Sequence, residues 1–165
     1  VNSVDDGVLG RDLLAVKDSY IDIIADGDGL KSTNDDGEKG NIVLESGSVV
    51  IASKSDGIQA ENNVTILGGK YAINSKDDSI HSNNTVDISG GEFNITSEDD
   101  GIHGDSSINI AGGTINILKS YEGIESSNIN ISDGNIRLVS SDDGLNVSEP
   151  KESSALTKSK QNNFS

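Results

Sequence analysis

The stretch Asp99-Asp100-Gly101-Ile102 recurs along the chain as an acidic residue, a glycine and an aliphatic residue. With the glycine position as the mark, and Ser79 in its place once, the stretch falls at residues 7, 29, 57, 79, 101, 123 and 144. The steps are therefore 22, 28, 22, 22, 22 and 21 residues. A nearly fixed period of this size predicts a solenoid, in which each repeat packs on its neighbours. We call the seven copies the acidic phrases: Asp5-Asp6-Gly7-Val8, Asp26-Gly27-Asp28-Gly29-Leu30, Ser55-Asp56-Gly57-Ile58, Asp77-Asp78-Ser79-Ile80, Asp99-Asp100-Gly101-Ile102, Tyr121-Glu122-Gly123-Ile124 and Asp142-Asp143-Gly144-Leu145.

Each repeat holds three short stretches in which apolar and polar residues alternate. In the coil that begins at Gly57 they are Ile58-Gln59-Ala60, Val64-Thr65-Ile66 and Tyr71-Ala72-Ile73. Strict alternation between Gly, Asn, Asp and Ser clusters is typical of half-buried strands, and helical spacing is absent. The sequence therefore predicts an all-β fold: a right-handed, single-stranded parallel β-helix of about six to seven coils of ~22 residues, with three strands per coil.

The apolar residues of successive repeats align in columns that we expect to point inward and stack at a strand spacing of ~4.8 Å. Ile dominates them because β-branched side chains pack well on a pleated surface. The first strands supply Val8, Leu30, Ile58, Ile80, Ile102, Ile124 and Leu145. The second strands supply Ile42, Val64, Val86, Ile108 and Ile129, and Leu44, Ile66, Ile88, Ile110 and Ile131. The third strands supply Ile21, Val49, Tyr71, Phe93, Ile115 and Ile136, and Ile23, Ile51, Ile73, Ile95, Ile117 and Leu138.

The repeats account for residues 1–149, which we assign to one β-helix domain. The 28-residue step contains an acidic insertion at residues 34–40. Gly-Gly pairs at 68–69, 90–91 and 112–113, with Ser46-Gly47 and Asp133-Gly134, mark corners that need positive φ. Residues 150–165 lack the repeat pattern, and Pro150 ends the strand ladder, so this segment is a tail, a cap or a linker.

The composition is strongly acidic. The chain has 28 acidic and 12 basic residues, a formal net charge of −16 and no cysteine. This charge repels nucleic acid and anionic membranes and attracts cations. No apolar run approaches the length of a membrane span, so we expect no membrane insertion. The chain is either cytosolic or, as the Asn/Ser/Gly-rich composition favours, the mature form of a protein secreted to the medium or cell surface.

One acid of every phrase falls in a column along one corner of the predicted solenoid. Two charges about 4.8 Å apart repel by about 3–4 kcal/mol at an effective dielectric of about 20. Closely spaced oxygen donors suit Ca²⁺, so we expect calcium between coils and at the insertion. The alternative is that the Asp-Gly pairs make turns and their carboxylates accept hydrogen bonds from backbone amides. The candidate metal ligands are Asp5, Asp6, Asp26, Asp28, Asn34, Asp35, Asp36, Glu38, Asp56, Asp77, Asp78, Asp99, Asp100, Asp142 and Asp143.

Three residues after each of these acids lies an outward position, and together these positions form the outward column. His81 and His103, the two histidines of the chain, occupy consecutive places in it and should lie one above the other. The column forms either a set of solvated strand residues or a binding face for an extended polymer. The candidate carbohydrate-binding residues are Lys31, Gln59, His81, His103 and Glu125, and Leu9 and Asn146 occupy the ends.

The runs Asp5 to Asp18, Asp28 to Gly40 and Ser55 to Ala60 resemble a family of secreted bacterial carbohydrate-binding domain proteins. The resemblance implies a right-handed parallel β-helix similar in fold to pectate lyases, with calcium at the acidic phrases and the insertion. It also implies binding of cellulose or polygalacturonate rather than cleavage. This chain departs from the family pattern at Ser79, at Tyr121-Glu122 and at Leu9.

These features predict a non-catalytic, extracellular, calcium-dependent protein that binds an anionic polysaccharide such as polygalacturonate, with cellulose as a further possibility. Scarce aromatic residues favour the acidic ligand, because flat sugar faces stack on aromatic rings. A lyase would need an Arg or Lys base beside bound calcium, and Arg11 and Arg137 lie away from the acidic corner. Two alternatives remain: a structural surface or adhesin module that calcium rigidifies, and a pectate-lyase-like enzyme.

The ends of a parallel β-helix expose unpaired strand edges, which invite stacking with another copy of the chain. End-to-end self-association is therefore a further expectation, and the tail from Pro150 is a candidate cover for one end.

Overall fold

A computed structural model describes residues 1–148 of the chain, so the predicted tail at 150–165 lies outside the described residues. The described residues form strands and no helix. The strands are β1 (Asn2–Ser3), β2 (Val8–Gly10), β3 (Leu13–Val16), β4 (Tyr20–Ala25), β5 (Leu30–Ser32), β6 (Asn41–Leu44), β7 (Ser48–Ser53), β8 (Ile58–Ala60), β9 (Asn63–Ile66), β10 (Lys70–Asn74), β11 (Ile80–Ser82), β12 (Thr85–Ile88), β13 (Glu92–Thr96), β14 (Ile102–Gly104), β15 (Ser107–Ser120), β16 (Ile124–Ser126), β17 (Ile129–Ser140) and β18 (Leu145–Val147).

All strand pairs are parallel, and they join coils that follow one another in sequence. The strands that follow the acidic phrases form one seven-stranded sheet in the order β18-β16-β14-β11-β8-β5-β2. The second and third strands of the coils form a larger eleven-stranded sheet. Because each coil contributes one strand to the seven-stranded sheet, residues 1–148 form a solenoid of about seven coils. The predicted fold class, an all-β parallel solenoid with a repeat of ~22 residues, is confirmed.

The register of the strands stacks like residues on like. Ile58 pairs with Ile80, which pairs with Ile102, and Ile102 pairs with Ile124. These side chains and their equivalents on the second and third strands are almost completely buried in one continuous core. Tyr71 and Phe93 lie inside, as predicted, with their ring centroids 4.8 Å apart. Each large aliphatic side chain buried in this way contributes roughly 1.5–3 kcal/mol to stability.

The inward prediction is wrong at the end of the described solenoid. Ile131 is 40% exposed and Leu145 is 52% exposed, although both align with buried residues of earlier coils. The reason is that they belong to the last coil of residues 1–148, where stacking covers a side chain from one side.

The last described coils also depart from three separate strands. In β15 and β17 the second and third strands run together through the corner. Their pairing shifts register between Ile110 and Ala111 and again between Ile117 and Ser120. These irregularities absorb the shorter step of 21 residues. The insertion at 34–40 lies between β5 and β6, as predicted.

Glycine serves two different purposes in each coil. At the corners, Gly47, Gly69, Gly91, Gly113 and Gly134 have positive φ, which confirms the prediction made for those positions. In the acidic phrases the coils approach too closely for a side chain. A Cβ added at Gly57 would lie 2.5 Å from the backbone oxygen of Ser79 in the next coil and 2.4 Å from Ile73 Cγ2.

No helix long and apolar enough to cross a membrane is present in residues 1–148.

Candidate functional site

The acids of the phrases form a hydrogen-bonded ladder along one corner of the solenoid, which we call the acid column: Asp6, Asp28, Asp56, Asp78, Asp100 and Glu122. The backbone N–H of Asp56 donates to Asp28 Oδ1 at 2.9 Å, and that of Asp78 donates to Asp56 Oδ1 at 3.0 Å. The same contact joins the remaining consecutive members. Each aspartate thus caps an amide of the next coil, which is the alternative role that the sequence left open. Asp143, predicted to continue the column, is exposed.

The four aspartates from Asp28 to Asp100 are 4–6% exposed, so their charges are buried along with their hydrogen bonds. Buried charges need partners, because water no longer solvates them. The outward column supplies some of these partners. Lys31 Nζ lies 3.4 Å from Asp6 Oδ2 and 2.7 Å from Asp28 Oδ2. The chain's own cation therefore bridges two coils there.

His81 and His103 occupy the equivalent place in later coils. His81 Nδ1 lies 3.2 Å from Asp56 Oδ2 and 3.6 Å from Asp78 Oδ2. His103 Nδ1 lies 3.3 Å from the Oδ2 atoms of both Asp78 and Asp100. The two rings stack with centroids 4.9 Å apart, which confirms that the histidines lie one above the other.

The carboxylates raise the pKa of both histidines. Hydrogen bonds to Asp100 and Asp78 raise the pKa of His103 to about 10, although burial opposes the shift. Burial lowers the pKa of His81, but the hydrogen bond and charge of Asp56, with the charge of Asp78, outweigh it and raise the pKa. Metal-free protein therefore holds His103 as an imidazolium at neutral pH.

The outward column lies folded over the acid column rather than projecting freely into solvent. Lys31, Gln59, His81, His103 and Glu125, the predicted carbohydrate-binding residues, are all half-buried, whereas Leu9 at the end of the column is 61% exposed. Lys31 and the two histidines are engaged with buried aspartates. Within this column Gln59 is neutral and Glu125 adds a negative charge.

A second set of acids lies outside the acid column, one residue earlier in each phrase. Asp77 and Asp99 are exposed, and their ligand atoms lie within 4.8 Å of each other and of the buried Asp78. Burial and then the charge of Asp78 raise the pKa of Asp77, and burial and then the charge of Asp100 raise that of Asp99. Across residues 1–148, no Lys, Arg or His forms an ion pair with Asp77 or Asp99.

The other predicted ligands are more widely dispersed. Asp5, Asp26 and Asp142 are exposed, and Asp26 Oδ1 forms an ion pair with Lys54 Nζ at 2.7 Å. In the insertion, Asn34 is buried and its Oδ1 accepts the backbone N–H of Asp36, and its amide group donates to Asp12. Asp36 and Asp12 both approach Lys39, and Asp35 and Glu38 are exposed. Among the described residues, no group of three close ligand atoms forms within the insertion.

The chemistry of the donors decides which of these groups fits calcium. Ca²⁺ takes oxygen ligands from carboxylates, carbonyls and water. The all-carboxylate group Asp77, Asp78 and Asp99 fits that preference. The two other groups of close ligand atoms contain imidazole nitrogen, and they are Asp78 with His81 and His103, and Asp100 with His103 and Glu125.

The structure also reveals features that the sequence did not single out. Asp105 Oδ1 lies 3.3 Å from His103 Nε2, and Glu122 is buried with its Oε2 unpartnered. A shallow groove of about 710 Å³ follows the corner between the second and third strands. Its lining residues are Gly47, Ser48, Gly69, Lys70, Gly91, Glu92, Gly113 and Thr114. Nothing in the repeat pattern indicates these contacts, because they join side chains of different coils.

Comparison with known proteins identifies the family but no individual relative. No curated protein and no solved structure matches the chain. The profile of a family of carbohydrate-binding domain-containing proteins matches residues 1–123 and, a second time, residues 68–153. The two matches overlap across coils that share one repeat, and together they span nearly all of the solenoid. The chain therefore belongs to the family of carbohydrate-binding domain-containing proteins.

Proposed function

We propose that this protein binds an anionic polysaccharide such as polygalacturonate, that the binding depends on calcium, and that it involves no catalysis. The observation that carries the proposal is the outer group of Asp77, Asp78 and Asp99, whose ligand atoms lie within 4.8 Å of one another. Asp77 and Asp99 are open to solvent and are not balanced by an ion pair in the described solenoid, so a cation there would relieve their repulsion.

These three residues would hold the calcium ion from two adjacent coils. Bound calcium would neutralise the carboxylates and accept further oxygen ligands, including those of a uronic acid. The exposure of Asp77 and Asp99 leaves the outer side of the group accessible to a chain of sugars. Gln59 and Glu125, half-buried at either side of the two histidines, flank the path along the outward column.

The positions of the arginines support a non-catalytic role. Arg11 lies in the first coil, where its side chain is 85% exposed and approaches Asp12. Arg137 is exposed on β17, in register with Asn116 of the third-strand face. Neither belongs to the acid column or to the outer group. Because polysaccharides of this kind are extracellular, the proposal includes secretion or display at the cell surface.

A second candidate surface for a sugar is the groove at the corner between the second and third strands. The outward row beside it contains Ser48, Lys70, Glu92 and Thr114 in register, and it begins at Tyr20, which is 71% exposed. An exposed ring at one end of a polar row favours stacking against a neutral sugar. This surface would suit cellulose better than an acidic polymer.

The test is calorimetric titration of polygalacturonate into chelator-stripped protein, with and without added calcium. We expect binding only with calcium. The variant Asp77→Asn/Asp99→Asn should lose it, because it removes two carboxylates from the proposed site. Asp22→Asn/Glu92→Gln removes the same charge from the third-strand face and should bind as the wild type does. Calcium-independent binding, or loss in the control with retention in Asp77→Asn/Asp99→Asn, would overturn the proposal and favour the groove.

A further inference from the structure

The charge balance along the outward column changes sign between its two ends. Lys31 carries a positive charge, Gln59 carries none, and His81 and His103 carry one when protonated. Glu125 then adds a negative charge beside acids that are already buried. Near Glu125, the step from Asp100 to Glu122 brings three carboxylates against one imidazole.

His103 is the centre of this group. Its Nδ1 lies 3.3 Å from Asp100 Oδ2 and 3.9 Å from Glu125 Oε2, and the three ligand atoms fall within 4.8 Å of one another. On the other side of the ring, Nε2 lies 3.3 Å from Asp105 Oδ1. A hydrogen bond from Nε2–H to Asp105 places the Nδ1 lone pair toward the carboxylates. A carboxylate that holds the far nitrogen of a histidine in this way is typical of metal-bound histidines.

Glu122 supplies a second, independent observation. The residue is 8% exposed, and its Oε2 is buried without a hydrogen-bond partner. Asn146 Nδ2 donates to the other oxygen, Oε1, at 2.8 Å and so fixes the carboxylate. Burial raises the pKa of Glu122, and the carboxylates of Glu125 and Asp100 contribute to the shift, so the side chain lies against this same group. A buried carboxylate oxygen without a partner needs a proton or a cation.

We propose a transition-metal site in this position, which takes a first-row divalent ion such as Zn²⁺ through Asp100, His103, Glu122 and Glu125. Imidazole together with carboxylates suits Zn²⁺ and its neighbours, whereas calcium takes oxygen ligands. A divalent ion offsets more of the three negative charges than the single charge of a protonated histidine does. The site is separate in its chemistry from the outer calcium group, and it does not rest on sugar binding.

Binding of the metal at Nδ1 displaces the proton that His103 holds in the metal-free protein. Metal uptake should therefore release a proton, and it should strengthen as the pH rises through the neutral range. Proton release distinguishes ligation by His103 from loose attraction of a cation to an acidic surface.

The experiment is calorimetric titration of Zn²⁺ into the chelator-stripped full chain, in buffers of different ionisation enthalpy and with excess calcium present. We expect one saturable site with release of about one proton. His103→Gln and Glu125→Gln should abolish it. Asp105→Asn, which removes the support of the ring, should weaken it about tenfold or more. Glu92→Gln, a carboxylate change on another face, and Asp77→Asn/Asp99→Asn, a change at the proposed calcium site, should leave it intact.

A second measurement avoids dependence on variants that fold poorly. Nitrogen-15 NMR of wild-type imidazoles should show a zinc-induced shift at Nδ1 of one histidine while Nε2 of that ring stays protonated. No saturable zinc uptake, or uptake without proton release and without an imidazole shift, would overturn the proposal in favour of protonated His103 as the resident cation. Loss of the site in His81→Gln with retention in Glu125→Gln would also overturn it, because the ligands would then be those around Asp78.

Discussion

At the residue scale, each aspartate of the acid column has two functions that belong to its two oxygens. Oδ1 accepts a backbone N–H of the next coil, and Oδ2 faces the outward column. Asp78 shows both, since its Oδ1 accepts the N–H of Asp100 at 2.9 Å and its Oδ2 contacts both histidines. A carboxylate is therefore required there for its shape and for its charge, and the two requirements can be separated by substitution.

Substitution of Asp78 should separate them. Asp78→Ala leaves the Asp100 N–H without an acceptor in a buried position, so we expect a loss of about 1–3 kcal/mol in the free energy of unfolding. Asp78→Asn keeps an oxygen acceptor and should lose clearly less. Urea denaturation of both variants in chelator measures the difference. Equal losses would show that the charge of Asp78, rather than its hydrogen bond, stabilises the column.

At the scale of the coil, glycine sets how closely the strands after the acidic phrases can stack. The phrase glycines lack positive φ, so a turn conformation does not explain them. The backbone of the next coil occupies the space that a side chain would need. Ser79 replaces glycine once, and there its buried hydroxyl is hydrogen-bonded to Ser75 Oγ at 2.9 Å. Side-chain ladders join the coils at another corner, where Asn84 Nδ2 donates to Asn62 Oδ1 at 3.0 Å.

Gly57→Ala should separate two coils locally. The added Cβ would meet the backbone of Ser79 and the side chain of Ile73, both part of the packed interior, so we expect a loss of about 1–3 kcal/mol. Gly37→Ala is the matched control, because a Cβ at Gly37 has no heavy atom within 4 Å. Its stability should stay unchanged or rise by up to about 1 kcal/mol through the unfolded state. Thermal and urea unfolding compare the two, and an equal response would contradict the close-packing explanation.

At the scale of the whole molecule, the net charge of −16 and the shifted pKa values act in the same direction. Raised pKa values at His103 and His81 stabilise the folded state fully below the unfolded histidine pKa of about 6.5. This contribution is lost as the pH rises through the folded values, which for His103 is about 10. Burial raises the pKa of Asp56 too, so its ionisation above about pH 4 also costs stability.

The metal-free protein should therefore become more stable as the pH falls from about 8 to about 5, which is opposite to ordinary acid denaturation. The melting temperature measured by circular dichroism in chelator should rise over that range. His103→Gln should show a smaller rise, because it lacks the largest raised histidine pKa. A melting temperature that falls toward pH 5, or an unchanged slope in His103→Gln, would contradict the assigned charge pairs.

The sequence by itself determined the period, the strand positions, the inward columns and the corner glycines, because a solenoid repeats one local pattern and stacks it on itself. It also placed the acids in one column and the two histidines one above the other. The tertiary structure decided which oxygens of those acids are already bonded, since the amide and cation partners come from neighbouring coils. It alone brought Asp105 to the far side of His103, buried one oxygen of Glu122 without a partner, and left Asp77 and Asp99 open to solvent. Those outcomes depend on side-chain direction and on which coil ends the stack, and a repeat of residue types does not encode either.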